Sequence, residues 1–196
     1  IETIMVKDHD EVMFISASGK GLRVNVDDIR SMGRSTRGVK AMNLIGEDEI
    51  VSAVKVEEGK NILLLTELGK GKRTGFDSFS QHGRGTMGQR IYSLAEGDRL
   101  VGARAVTDED DVILITKLGQ VLRIAVSRIS YQGKNASGVI IATFKKKNDR
   151  INAMDVTIHE EEAEEEEVFL EEGETVSLES EVNALEPKEE NSEQDQ

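Results

Sequence analysis

The sequence contains no cysteine and no tryptophan, one proline in 196 residues, three histidines and only 4% aromatic residues. Without thiols, a disulfide framework and a thiolate metal site are both excluded. His9, His82 and His159 are too scattered to suggest a ligand set. No apolar run approaches the ~18 residues of a membrane span and no signal peptide opens the chain. A soluble, cytoplasmic protein with no membrane partner is therefore expected. The chain starts at Ile1 rather than Met, so a fragment or processed product is expected. No catalytic constellation is visible either. Tyr92 and Tyr131 have no nearby histidine, and the adjacent pairs Asp27/Asp28 and Asp110/Asp111 would point apart on a strand. They read as turn acids and solvated faces, and no cofactor is expected in this chain.

Charge is plentiful, and it is unevenly placed. The net charge of −13 averages two unlike pieces. Residues 1–158 hold 24 Lys+Arg against 21 Asp+Glu, a net of +3; residues 159–196 hold 1 against 17, a net of −16. The change is abrupt, at HEEEAEEEE. A like-charge block of this length repels itself and buries no core, so residues 159–196 are expected to be a disordered acidic tail. Only Val168-Phe169-Leu170 interrupts it with a compact apolar cluster, which reads as a chance patch.

The rest of the chain repeats with a period of fifty. Gly19, Gly69 and Gly119 mark it, as do Arg23, Arg73 and Arg123, then Gly33, Gly83 and Gly133, then Gly38, Gly88 and Gly138. Three units are expected, at about 1–50, 51–100 and 101–158, with INAMDVTI opening a fourth. In the second unit IVSAVKV, NILLLT, KRTGF and QRIYSL read as four strands between Gly, Asp and Asn turns. Four strands in ~50 residues is the signature of a propeller blade.

HGRGTMGQR (His82–Arg90) contains G-x-G-x-x-G, the spacing of a dinucleotide loop. Its slot is filled by GRSTRG and GKNASG in the other units, where the middle glycine becomes Ser35 and Asn135. A strand follows rather than a helix, so no helix N-terminus awaits a phosphate. The outer glycines are better read as turn positions needing φ > 0 or as places where another backbone passes close.

The cations gather in three windows from turn glycine to loop end. Residues 19–40 carry a net +4, residues 69–90 +4 and residues 119–140 +3, leaving −8 on the rest of the repeat region. Acids collect in other turns: GEDE, EEGK, EGD and TDEDD. Each unit is thus expected to have a basic end and an acidic end, so that stacked units present a continuous basic rim to a polyanion. The plainer alternative is a set of solvated loops. Few aromatics in the windows argue against a base-stacking platform and for backbone contact with a duplex.

LGKGKR, MGRSTRGVKAMNL and QGKNASGVII resemble the repeated blade motif of the C-terminal domain of the DNA gyrase A protein, and the resemblance covers residues 1–158. It implies an all-β, propeller-like β-pinwheel of four-stranded ~50-residue blades that exchange strands with their neighbours, about three of them here, at the C-terminal end of a longer polypeptide. It implies the wrapping of duplex DNA with a fixed hand within an ATP-hydrolysing type IIA topoisomerase. The gyrase B protein would be the partner in an A2B2 complex, with ATP and Mg2+ bound elsewhere in the complex. The family's Q-R-R-G-G-K-G box is absent and, with the catalytic tyrosine, is expected upstream of Ile1. The A protein of topoisomerase IV remains an alternative, as does a propeller-like scaffold for an acidic protein. The expected DNA-binding residues are Lys20, Arg23, Arg34, Arg37, Lys40, Lys70, Lys72, Arg73, Arg84, Arg90, Arg123, Arg128 and Lys134. Arg23, Arg73 and Arg123 share one slot, and either face the DNA or pack their stems over a blade. The tail, with its −16, is expected to compete with DNA for these cations at low salt.

Overall fold

The computed structural model describes residues 2–158, so the expected acidic tail and its Val168-Phe169-Leu170 cluster lie outside the described residues. Eleven strands are present among them: β1 (Glu11–Ser16), β2 (Lys20–Asn25), β3 (Ile50–Lys55), β4 (Asn61–Thr66), β5 (Lys70–Gly75), β6 (Gln89–Arg90), β7 (Leu100–Val106), β8 (Asp110–Thr116), β9 (Val121–Ala125), β10 (Val139–Ile140) and β11 (Ile151–Ile158). Helical geometry is confined to single 3-10 turns at Val26–Asp28, Phe76–Ser78 and Val126–Arg128. The chain is all-β, built from repeated blades.

The strands form three antiparallel sheets in the orders β3-β1-β2-β6, β10-β5-β4-β7 and β11-β8-β9. NILLLT is β4 as expected, but the QRIYSL run makes only a two-residue ladder, and not within its own sheet. β6 crosses to the preceding sheet, pairing Arg90 with Lys20 and Gln89 with Gly21. β10 does the same in the next sheet, pairing Ile140 with Lys70 and Val139 with Gly71. Each joint between blades is therefore a donated strand.

Two sequence expectations need correction. INAMDVTI is β11, and it pairs with β8 along its whole length, so it closes the third sheet and opens no fourth. Likewise β3 belongs with β1, so the sheets divide the chain a strand later than a count from the glycine turns suggests. The reason is topological. A strand's membership is set by the ladder that satisfies its backbone groups, not by its distance from a turn.

The middle sheet explains why NILLLT is apolar without alternation. Ile62 and Leu64 face the first sheet, packing with Met13, Ile15 and Val54. Leu63 and Leu65 face the third, packing with Val112, Leu114 and Ile151. A strand buried on both faces carries no polar side. In the third sheet the corresponding outward residue Ile115 is exposed.

The repeated loop glycines have two different explanations. Gly88 and Gly138 have φ of 67° and 72°. A Cβ on them would lie 2.5 Å from the Gly21 carbonyl oxygen and 2.8 Å from that of Gly71. They sit where the donated strand meets its acceptor. Gly33, Gly83 and Gly133 fit neither expectation. None has positive φ, and an added Cβ would meet nothing within 4 Å.

Candidate nucleic-acid interface

The expected cations divide into two groups. The first is turned inward. Lys72 is fully buried, and its ammonium donates to the carbonyls of Gly133, Lys134 and Ala136 at 2.8–3.0 Å. It also lies 5.0 Å from the Tyr92 ring centroid. Burial pulls Lys72 down from the usual lysine range to about 8. Burial likewise raises the Tyr92 phenol, whose hydroxyl has no hydrogen-bond partner among the described residues. Arg73 is buried, donating from Nε to the Ile129 carbonyl at 2.7 Å and pairing with Asp108.

Arg23 donates to the Phe76 carbonyl at 2.8 Å and pairs with Glu11. Arg123 pairs with Asp111 at 2.6 Å. The shared slot is therefore a structural one: Arg23 and Arg73 each reach from their own strand to the 3-10 turn of the next repeat. Lys72 and Arg73 are corrected from outward contacts to internal fasteners, because buried charge needs acceptors and these carbonyls supply them, and half-buried Arg23 is held the same way by the Phe76 carbonyl and Glu11. Sequence alone could not separate them, since Lys70 and Lys72 differ only in what the adjoining repeat brings to each.

The second group is open. Arg34, Arg37, Lys40, Arg90 and Arg128 are exposed or half-buried, Lys20, Lys70 and Lys134 are half-buried, and none is in an ion pair among the described residues. Arg84 donates to the backbone carbonyl of Asp28 at 2.6 Å, which leaves its charge unneutralised by any carboxylate there. Lys20 and Arg90 are direct cross-strand partners. Like charges so placed repel unless an anion lies between them. The basic windows end too early to include Arg150 and the run Lys145–Lys147. That run follows the second donated strand, β10, and its signal is three consecutive lysines.

The expected basic and acidic ends are not separate ends. Asp48 accepts from the Ser18 amide at 2.9 Å, Asp98 from Leu68 at 3.1 Å and Asp149 from Leu118 at 3.1 Å. These acids therefore sit beside the glycine turns that lead into Lys20 and Lys70. Burial alone would raise the Asp48 carboxyl, but hydrogen bonds from Ser18 and Ser16 outweigh it and hold the group below the usual range. The open cations follow the sheet joints instead. Lys20, Lys70 and Arg90 lie on the paired strands, Arg128 ends a 3-10 turn, and Arg34, Arg37, Arg84 and Lys134 lie on the loops before segments 39–44, 89–94 and 139–144, with Lys40 inside the first of these.

A family model described as DNA gyrase C-terminal domain, beta-propeller, matches residues 10–57, 60–107 and 110–158. The chain belongs to the DNA gyrase C-terminal domain family. Each match holds three strands of one sheet, and the donated strand of each of the first two sheets falls in the next match. The DNA gyrase A protein of Chlamydia pneumoniae is 43% identical over 53 residues, 27% of this chain and 6% of that protein. That of Klebsiella oxytoca is 51% identical over 45 residues, 23% of this chain and 5% of that protein. These matches span a small part of the curated relatives' length. Among solved structures, the C-terminal domain of DNA topoisomerase IV superposes with a TM-score of 0.75 at 21% identity, covering 80% of this chain and 49% of that one. The E. coli ParC C-terminal domain gives 0.62 at 13% identity, covering 80% and 64%. At those identities the likeness is one of fold.

Proposed function

We propose that this chain is the DNA-binding and wrapping part of the DNA gyrase A protein, working in an A2B2 complex with the gyrase B protein in the bacterial cytoplasm. In that reading it bends duplex DNA with one hand along the sheet joints. A second segment of the same duplex is thereby presented for ATP-dependent strand passage, which introduces negative supercoils. ATP and Mg2+ act elsewhere in the complex, as does the catalytic tyrosine. Neither Tyr92, sealed in the core, nor Tyr131, whose hydroxyl accepts from the Gly75 amide at 3.1 Å, is offered for that role.

The observation that carries the reading is the pair Lys20 and Arg90, directly opposed across a joint with no carboxylate partner among the described residues. Such a pair is favoured when a phosphate lies over it. Smooth bending of 20–30 bp costs of order 1–6 kcal/mol, so several such contacts must act together. The second joint adds Lys70, opposite Ile140, and the loop cations Arg34, Arg37, Arg84 and Lys134 supply the rest.

The test is a linking-number assay. Relaxed closed-circular DNA is incubated with the chain, treated with a nicking-closing enzyme and deproteinised. A shift of one sign supports wrapping. Binding without a shift points to the topoisomerase IV type of domain, and no binding at low salt refutes both.

A further inference from the structure

The second joint differs from the first at two positions that meet. Lys72 fills a slot that holds Leu22 and Leu122 in the other repeats. The loop it holds, residues 133–136, ends in Ala136, where the other repeats have Thr36 and Thr86. Each threonine hydroxyl donates to the carbonyl that opens its own loop, Thr36 to Gly33 at 2.8 Å and Thr86 to Gly83 at 3.3 Å. Ala136 has no hydroxyl to give. The Gly133 carbonyl accepts from the Lys72 ammonium instead, at 2.9 Å. The first joint therefore carries Leu22 with Thr86, and the second carries Lys72 with Ala136.

Lys72 does more than replace a hydroxyl. An ammonium has three N–H donors, and all three are spent on this loop, at the carbonyls of Gly133, Lys134 and Ala136. The remaining carbonyl, that of Asn135, accepts from the Ser93 hydroxyl of the first donated segment at 2.8 Å. Every carbonyl from Gly133 to Ala136 is thus engaged by the protein itself.

A trans peptide points its N–H away from the preceding C=O. Three of these carbonyls are directed at a fully buried ammonium, so the amides that follow them, those of Lys134, Asn135 and Ser137, point the other way. None of the three has an acceptor among the described residues. The Lys134 side chain, one of the open cations, rises from the same loop. Neighbouring free amides beside a cation suit an anion such as a backbone phosphate.

We infer that Lys72 is a positioning residue for DNA: without touching the duplex, it holds the 133–136 loop so that Lys134 and the free loop amides meet a phosphate together. A loop ordered before binding does not lose that freedom on binding, so the same contacts yield more affinity. The role rests on the DNA-binding reading above, and the hold on the loop can be measured without DNA.

The full 196-residue chain is titrated with a duplex across a range of salt concentrations as wild type, Lys72→Leu, and Lys72→Leu with Ala136→Thr, which recreates the pair of the first joint. Each is made with and without Lys134→Ala, and thermal denaturation confirms that each is folded. In the wild type, Lys134→Ala should lower the log–log salt slope by about one. Lys72→Leu should weaken binding by about threefold to tenfold and leave Lys134→Ala without further effect. Adding Ala136→Thr should recover both the affinity and the Lys134 step. That chain has no charge at position 72, so its recovery separates positioning from simple attraction. Affinity indifferent to Lys72→Leu overturns the inference, as does a loss that adds to that of Lys134→Ala or that Ala136→Thr fails to recover. Hydrogen exchange of the free chain is the second arm. The Ala136 and Ser93 amides, bonded to the Gly133 and Ala136 carbonyls, should exchange about tenfold faster in Lys72→Leu, with β4 unchanged. A wild type that binds no duplex at low salt refutes the DNA reading, while faster exchange still upholds the hold on the loop. Unchanged exchange overturns that hold whatever the duplex result.

Discussion

At the scale of single residues, a lysine or arginine in this chain is either a fastener or an open charge, and the two respond differently to substitution. Arg73→Ala removes donors from the Ile129 carbonyl and Asp108. Hydrogen bonds involving a charged group contribute about 1.5–3 kcal/mol, so a stability loss of that order is expected in a urea titration, with the salt dependence of DNA binding unchanged. Arg34→Ala, Arg37→Ala or Arg90→Ala should leave the unfolding midpoint alone. Each that contacts a phosphate should reduce the log–log salt slope by about one. A loss of stability without a change in slope would move that residue into the fastener group.

Lys72 adds a pH dependence. Burial lowers its folded-state value from 10.5 to about 8, while the carbonyls of the 133–136 loop and the Tyr92 ring oppose that shift. Between those values the unfolded chain holds a proton that the folded chain has released, so the site's contribution to stability rises with pH across that window. Below about pH 8 both states are charged and the slope vanishes. Urea midpoints of wild type and Lys72→Met at about pH 7.5 and about pH 10 should therefore diverge, the wild type gaining. Parallel midpoints would mean that the carbonyls hold the proton.

At the scale of elements, the donated strand is the unit that fixes blade to blade. Its fit depends on an absent side chain. Gly71→Val would place a Cβ 2.7 Å from Ile141 and 3.0 Å from the Leu64 carbonyl oxygen. Overpacking of this kind costs about 1–3 kcal/mol. Ile141→Ala should recover part of that loss when combined with Gly71→Val, although alone it destabilises by opening a cavity. The double-mutant cycle in thermal denaturation checks this, and simple additivity would show that the two positions do not meet. The 3-10 turns act with the strands, since Arg23 and Arg73 hook onto carbonyls at or just after them. Each joint thus has an apolar contact, a short ladder and a charged clasp.

At the scale of the whole described unit, three stacked sheets place the open cations along successive joints. The basic windows carry no clusters of Asn or Gln suited to reading base edges. Two unrelated duplexes of equal length should therefore bind within tenfold of each other, a difference under about 1.4 kcal/mol, in a fluorescence titration. A larger preference would mean that sequence is read directly or through deformability. The middle sheet, buried on both faces, should also be the last to exchange its amides, with β4 the most protected strand.

The sequence by itself determined the architecture. A period of fifty in glycine and arginine, short apolar runs and glycine turns specify repeated antiparallel sheets because strand length, turn conformation and side-chain alternation are local properties. NILLLT could be placed to the residue for that reason. Which sheet a strand joins, and which way a cation points, were decided only by tertiary structure. QRIYSL and INAMDVTI join ladders outside their sequence units because backbone pairing is satisfied across repeats. Lys70 and Lys72 are near neighbours of the same type, yet one lies beside a joint and the other is sealed against three carbonyls. The burial of each charge depends on what the adjoining repeat brings to it, and that contact spans about sixty residues of chain.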